Sequence, residues 1–406
     1  MNRWLRMAMM ACLACTAAEA RAADDPAAPL AAAPADAWPL VRGCLAGTGR
    51  SAAVLRLPLV EAWRRDFEKT AFGATPAIAA GTIYLGDLDG TFHALALDTG
   101  GTKWTFTADA GGFPSAAALS LDPAFPLVIV GDDAGVVRAF DRETGAVKWT
   151  YATDGEISGG PTIMASAAGP RVLIGSQDAS LSCLSLADGA VVWKHSIADQ
   201  IRCAPTVAET AVGPRVFIAG CDGKLHVIDV ATGTAAAAVA IDGPTGTTPA
   251  AAGDRVFFGT EGGGFFAIDV VRREVAWRMQ SAVPGQSYRS SAALTEQLAI
   301  VGSRGRAIEA FRLADGGRAW RAPTRGRVDA APVIVTATDD ATGASREVAI
   351  AADAAGKILA VEAATGAKAW EFDAGGRFDA GAAVAGGRVV IASDDGTVWC
   401  FAGGEE

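Results

Sequence analysis

The sequence is short of the residues that most often do chemistry. Histidine and tyrosine occur three times each, and asparagine does not recur after Asn2. Beyond residue 22 the cysteines are Cys44, Cys183, Cys203, Cys221 and Cys400, with no C-x-x-C pair and no metal-like spacing among them. A G-x-S-x-G elbow is missing, and no credible Ser/His/Asp set replaces it. Basic residues are outnumbered, 35 Lys and Arg against 45 Asp and Glu, for a formal net charge of −10. That balance excludes the basic footprint of a nucleic-acid binder. Past the first residues no apolar run is long enough to cross a bilayer, which takes about 20 residues. Helical periodicity is also missing, so the chain reads as all-β.

What is present begins with MNRWLRMAMMACLACTAAEARA, a basic start, a short apolar core and a small-residue run ending at Ala22. This describes a secretory signal over residues 1–22 and places the chain in the periplasm or outside the cell. Removing Arg3, Arg6, Arg21 and Glu19 with it leaves the remainder more acidic still. A lipid-anchor reading of Cys15 is the weaker one, because Cys12 stands where the attachment motif normally has leucine. Residues 23–37 are rich in Ala and Pro and read as a flexible tether. Everything from residue 38 to 406 is apolar, Gly-rich and punctuated by turns.

That remainder repeats. Trp63, Trp104, Trp149, Trp193, Trp277, Trp320 and Trp370 recur at steps of roughly 40–50 residues, with Ala237 holding one place in the series. Glycine precedes the tryptophan by four residues in Gly100/Trp104, Gly145/Trp149, Gly189/Trp193, Gly316/Trp320 and Gly366/Trp370. Before Trp277 the glycine is replaced by Arg273. Each unit holds four short runs of apolar and β-branched residues separated by Gly/Asp turns, which are strands joined by hairpins. Four-stranded units repeated radially make a β-propeller. The Gly turn is expected to aim the outer strand, whose tryptophan covers the gap between neighbouring blades.

Eight registers predict eight blades. The first tryptophan, in LVEAWRRDF, precedes the first full unit, whereas the last unit ends at Phe401 after three strands. The orphan strand at the start is therefore expected to complete the last blade and close the ring.

The unit DGKLHVIDVATG, Asp222 to Gly233, resembles the PQQ-like propeller repeat, and AWPLVRG, Ala37 to Gly43, resembles the opening of its secreted members. The resemblance covers nearly the whole chain after the signal. Members include the outer-membrane assembly lipoprotein BamB, periplasmic propellers of unassigned role, and quinoprotein dehydrogenases. In size and blade number the chain is most similar to BamB. The resemblance to the dehydrogenases would imply PQQ and calcium in the central funnel, beside adjacent cysteines, an asparagine and acidic ligands. This sequence has no adjacent cysteines and no asparagine past Asn2, so no cofactor, metal or catalytic residue is expected.

His93 and His226 occupy a strand position that elsewhere carries Arg138, Ser182, Phe266, Glu309 and Leu359, which marks it as structural. His195 falls on an outer strand and is expected to face solvent. Cys203 and Cys221 fall where a hairpin brings them opposite each other, leaving a bridge and two buried thiols both open. The remaining signal lies where each outer strand hands over to the next inner strand, beside the channel mouth. There Arg202, Tyr288, Arg289, Arg327, Asp329, Arg377 and Asp379 gather, most of them from blades six to eight. Two readings stand: local ion pairs repeated by duplication, or a grip for a ligand or peptide. The function expected is a monomeric, non-catalytic binding scaffold whose partner is an envelope protein, such as a barrel-assembly component. The alternatives are a quinoprotein oxidoreductase and a sensor of small molecules or glycans.

Overall fold

A computed structural model describes residues 30–339 and 342–404. The stretch read as a secretory signal, Cys15 and the first part of the Ala/Pro-rich stretch lie outside the described residues. Among the described residues there is no helix, and the strands form eight antiparallel four-stranded blades in a ring. Blade 1 runs outward through Ala77–Ala79, Thr82–Gly86, Thr91–Ala96 and Thr102–Thr107. The inner strands are short and alanine-rich, and their middle neighbours are buried on both faces. The outer strands alternate exposed and half-buried residues, the period of a sheet with one wet face.

The ring closes as the broken repeat requires. Blade 8 takes Ala383–Ala385, Arg388–Ala392 and Thr397–Gly403 from the end of the chain and Leu59–Asp66 from its start. The pairing is antiparallel, from Leu59 opposite Gly403 to Asp66 opposite Thr397. Both sheet edges that a linear array would expose are thereby removed.

The tryptophans join consecutive blades by one repeated contact. Indole Nε1 donates to a backbone carbonyl of the next blade, from Trp63 to Leu97, Trp104 to Arg142, Trp149 to Leu186, Trp193 to Val230, Trp277 to Leu313 and Trp320 to Ala363, at 2.9–3.2 Å. Trp370 donates to Leu59 at 2.9 Å, so the series continues across the junction of the two chain ends. The indole ring also covers the turn glycine of the next blade. A β-carbon on Gly100, Gly145, Gly189, Gly233, Gly316 or Gly366 would lie 2.5–2.8 Å from the preceding blade's ring. The tryptophan thus covers the gap between neighbouring blades, and its seat there is the turn glycine of the next blade. The glycine's partner is the tryptophan one blade earlier.

The two exceptions in the repeat thus belong together. Blade 4 has Ala237 in place of tryptophan, and the turn it faces, in blade 5, is the one with Arg273 in place of glycine. Arg273 keeps the left-handed backbone of the others, with φ 61°. With no indole above it, a side chain is tolerated there. Phe258 and Phe266 join Val239, Ala237 and Val270 in the apolar cluster at this blade junction.

The N-terminal segment fills the lower channel, which the repeat pattern did not announce. Residues 38–49 follow the inner strands in blade order. Backbone N–H groups of Ile78, Leu119, Val207, Ala251, Leu294 and Ile334 donate to the carbonyls of Trp38, Pro39, Leu45, Ala46, Thr48 and Gly49, at 2.8–3.0 Å. Inner strands otherwise present an unpaired edge to the channel, and this strap satisfies it. Arg50–Leu57 then pairs parallel with the inner strand of blade 7, Val333–Asp339, and leads out to blade 8. Ala33 is fully buried and bridges to Ser51, so the end of the stretch read as a tether is built into the fold.

Candidate functional site

Strand alternation decides which loops share a face. The handover from one outer strand to the next inner strand lies on the same side as the turn between the second and third strands. Together these loops build a funnel of about 830 Å³ at the channel mouth. Six of the seven residues singled out from the sequence line it: Arg202, Tyr288, Arg289, Asp329, Arg377 and Asp379. Arg327 lines an adjoining groove and reaches the funnel through its ion pairs.

The charges at blades 6 to 8 form one continuous chain. Arg304 donates from Nε and Nη2 to both oxygens of Asp329, at 2.9 and 2.8 Å. Arg327 Nε donates to the same carboxylate at 2.8 Å, and its Nη2 lies 3.9 Å from Asp379. Arg377 holds Asp379 at 2.6 Å and reaches Asp394 at 3.8 Å. Burial, the largest single influence on Asp329, works against its ionisation. The hydrogen bonds and charges of Arg304 and Arg327 together outweigh it and hold the carboxyl below its usual range. The repeated Arg-x-Asp pairs therefore do form locally, and they are also joined to one another. Arg289 is paired separately, with Glu261 at 2.5 Å.

Arg202 differs. Its Nε and Nη2 donate to the neutral Gln200 Oε1, at 2.9 and 2.5 Å, and no carboxylate pairs with it among the described residues. Tyr288 also departs from expectation. It is buried, packs edge-to-face with Phe265 and Phe311, and donates its hydroxyl to the buried Glu309 at 3.1 Å. Burial and the Glu309 charge raise its pKa, so its ring serves the core beneath the mouth.

Sequence reasoning did not find Arg304, Glu261 or Asp394. They stand one or two residues after the second strands of blades 6, 5 and 8. The signal was available, because those turns must share the face of the handover loops.

The strap gives the funnel a floor. Below the rim the channel narrows to a well of about 190 Å³ that ends on Val41 and Arg42. A larger and more apolar groove, about 980 Å³, lies on the opposite face over Phe257, Leu298 and Leu313. Fewer charged groups converge there, and Arg255 is engaged by the Leu313 and Ala314 carbonyls.

The histidines sit in structural pairs. His93 and His226 donate from Nε2 to Asp87 and Asp222, each at 2.9 Å, and Arg138 pairs with Asp132 at the same position of blade 2. His195 Nδ1 donates to the Gly233 carbonyl at 2.9 Å. Cys203 and Cys221 are both free thiols. Cys203 is buried, which pushes its thiol up to about 12, whereas Cys221 lines the mouth.

An eight-bladed ring of four-stranded blades, with a tryptophan at each blade junction but one and a funnel at one face, defines the PQQ-like propeller class. The chain belongs to that repeat family: the family profile described as outer membrane protein assembly factor BamB matches residues 133–213, 210–355 and 354–406. Among curated proteins no sequence matches significantly. Solved structures do match. BamB from Moraxella catarrhalis aligns with a TM-score of 0.65 at 16% identity, over 86% of this chain and 98% of that one. Quinohemoprotein alcohol dehydrogenase from Comamonas testosteroni aligns with a TM-score of 0.70 at 15% identity, over 91% and 81%. The computationally designed Ika8 protein aligns at 0.64 and 16% identity, over 83% and 98%. At such identities these likenesses establish the fold, and function has to be argued from the site.

Proposed function

We propose that this propeller is a non-catalytic scaffold of the cell envelope that binds a protein partner at its funnel, in the manner suggested by the BamB family description. The observation that carries the reading is the rim. It is a partly exposed chain of alternating arginines and carboxylates at blades 6 to 8, and it shares the funnel with Arg202, whose charge no carboxylate among the described residues pairs. Paired charges of this kind add little stability, yet they orient an incoming surface and discriminate between partners. The signal-like start is consistent with export, and the acidic balance argues against nucleic acid as the partner.

The likeness to a quinohemoprotein dehydrogenase supports a second reading, in which the funnel holds PQQ with calcium. The sequence supplies neither adjacent cysteines nor an asparagine in the propeller, so added PQQ and calcium should leave the melting temperature unchanged. A saturable rise would favour the dehydrogenase reading, since a ligand of the native state stabilises it by mass action. The scaffold reading is tested by placing a photocrosslinking residue at Gln177, in the mouth, and at Gln297, on the opposite face, in cells. Adducts with a barrel-assembly component from Gln177 and not from Gln297 are expected. Adducts only from Gln297, or from neither, would overturn it.

A further inference from the structure

Arg42 is a buried cation without a buried anion. It is 2% exposed, and its guanidinium donates only from Nη2, to the Ala292 and Pro332 carbonyls at 3.0 and 2.7 Å. Among the described residues Nε and Nη1 have no partner. No carboxylate pairs with it among the described residues, although a buried charge ordinarily comes with a counterion. The glycine at position 49 makes room for this side chain, since a β-carbon there would fall 2.1 Å from Nη2.

Arg42 lines the floor of the well beneath the mouth. Two hydroxyls higher in the well are donors in waiting. Thr248 Oγ1 accepts from the Ala204 amide at 3.2 Å, and Ser291 Oγ accepts from the Thr248 amide at 2.9 Å. Each therefore keeps its own proton for another acceptor. At the rim of the same well stands Arg202, whose only partner among the described residues is the neutral Gln200. The two carboxylates that line it, Asp329 and Asp379, are already held by arginines.

We infer that the well is a binding site for a small oxyanion, a carboxylate or phosphate group, seated between Arg202, the Thr248 and Ser291 hydroxyls and the field of Arg42. The space suits such a group. A water's share of liquid volume is about 30 Å³, so a well of about 190 Å³ holds an anion of four or five heavy atoms with water around it. Low-dielectric walls strengthen the attraction of an unneutralised charge even across a water layer. The site does not depend on the partner-binding role of the mouth, and it is read separately.

The test is calorimetric titration of the full chain, without its signal, at constant ionic strength. The probes are inorganic phosphate, acetate, and a short peptide with a free C-terminal carboxylate compared with its amide. One saturable site is expected. Phosphate or acetate binding identifies a free anion as the occupant, and preference for the peptide acid over the amide identifies a carboxylate borne by another chain. Arg202→Gln should weaken binding about tenfold or more, as loss of a charge-assisted hydrogen bond does. Ala331→Leu, which fills the well from a half-buried position, should abolish it with the melt retained. Arg42→Gln is a poorer probe because it also breaks the strap. Absence of saturable binding by every probe, or equal affinity in Ala331→Leu, would overturn the inference.

Discussion

The indole of Trp104 lies across the α-carbon of Gly145 in the next blade, so close that a β-carbon there would fall 2.7 Å from the ring. Its Nε1 meanwhile donates to the Arg142 carbonyl of the same turn at 3.1 Å. Ring and hydrogen bond together lock one blade to the next. The lock needs a residue that has no side chain and tolerates a left-handed backbone, and Gly145 has φ 72°.

Gly145→Ala should therefore cost more than the ~1–2 kcal/mol of a left-handed alanine, because the indole must also move. Arg273→Gly should be neutral or stabilising by up to about 1 kcal/mol, since no indole lies there and strain is relieved. Ala237→Trp alone should destabilise, whereas Ala237→Trp with Arg273→Gly should rebuild the missing lock. A double-mutant cycle by chemical denaturation should show a favourable coupling of about 0.5–3 kcal/mol. Simple additivity would mean that the two exceptions are unrelated.

Ring closure makes a second prediction. Deleting residues 58–68 removes the outer strand of blade 8 and the Leu59 acceptor of Trp370. The whole ring should melt earlier, because an unpaired edge opens and the lock at that junction is lost. An unchanged cooperative melt would contradict closure by this strand. Starting the chain at Trp38 should also lower the melt, more mildly. It removes the pairing of Ala33 with Arg50 and Ala52 and the bond from the Gly386 amide to Ala35.

Acid should weaken the rim. The carboxyl of Asp329 is held below its unfolded value, so its contribution is complete above the unfolded pKa, near 4. That contribution is lost as pH falls through the lower folded value. Melts of the wild type and Asp329→Asn should differ at neutral pH and converge below about pH 4. A difference that persists unchanged into strong acid would show that the carboxylate's charge is not what matters.

Much of this was legible in the sequence, for physical reasons that differ by element. The blades could be read because turn residues and tryptophans repeat with one period. Closure could be read because the first and last units are each incomplete. The gathering of Arg202, Arg289, Asp329, Arg377 and Asp379 followed from register alone, since equal positions in successive blades must ring the same mouth. The path of the strap was not legible: residues 38–49 carry no period and pair with the inner strands through their backbone carbonyls. The pairing of Trp104 with Gly145 was hidden by the nearer Gly100, four residues before that tryptophan. Tyr288 lies at the mouth that register assigns it, but its side chain is buried, because register fixes where a backbone lies and does not fix whether its side chain turns inward.

The central claim is that the charged mouth grips a protein partner, and it is tested most directly by capture from envelope extracts. Immobilised wild-type protein should retain barrel-assembly components, and Arg289→Ala with Arg327→Ala should retain markedly less. Asp329 keeps Arg304 in that variant, so stability should shift by no more than about 0.5 kcal/mol. Reduced capture at an unchanged melt is the result the account predicts. Undiminished capture by the double variant, or no capture of such components by the wild type, would contradict it.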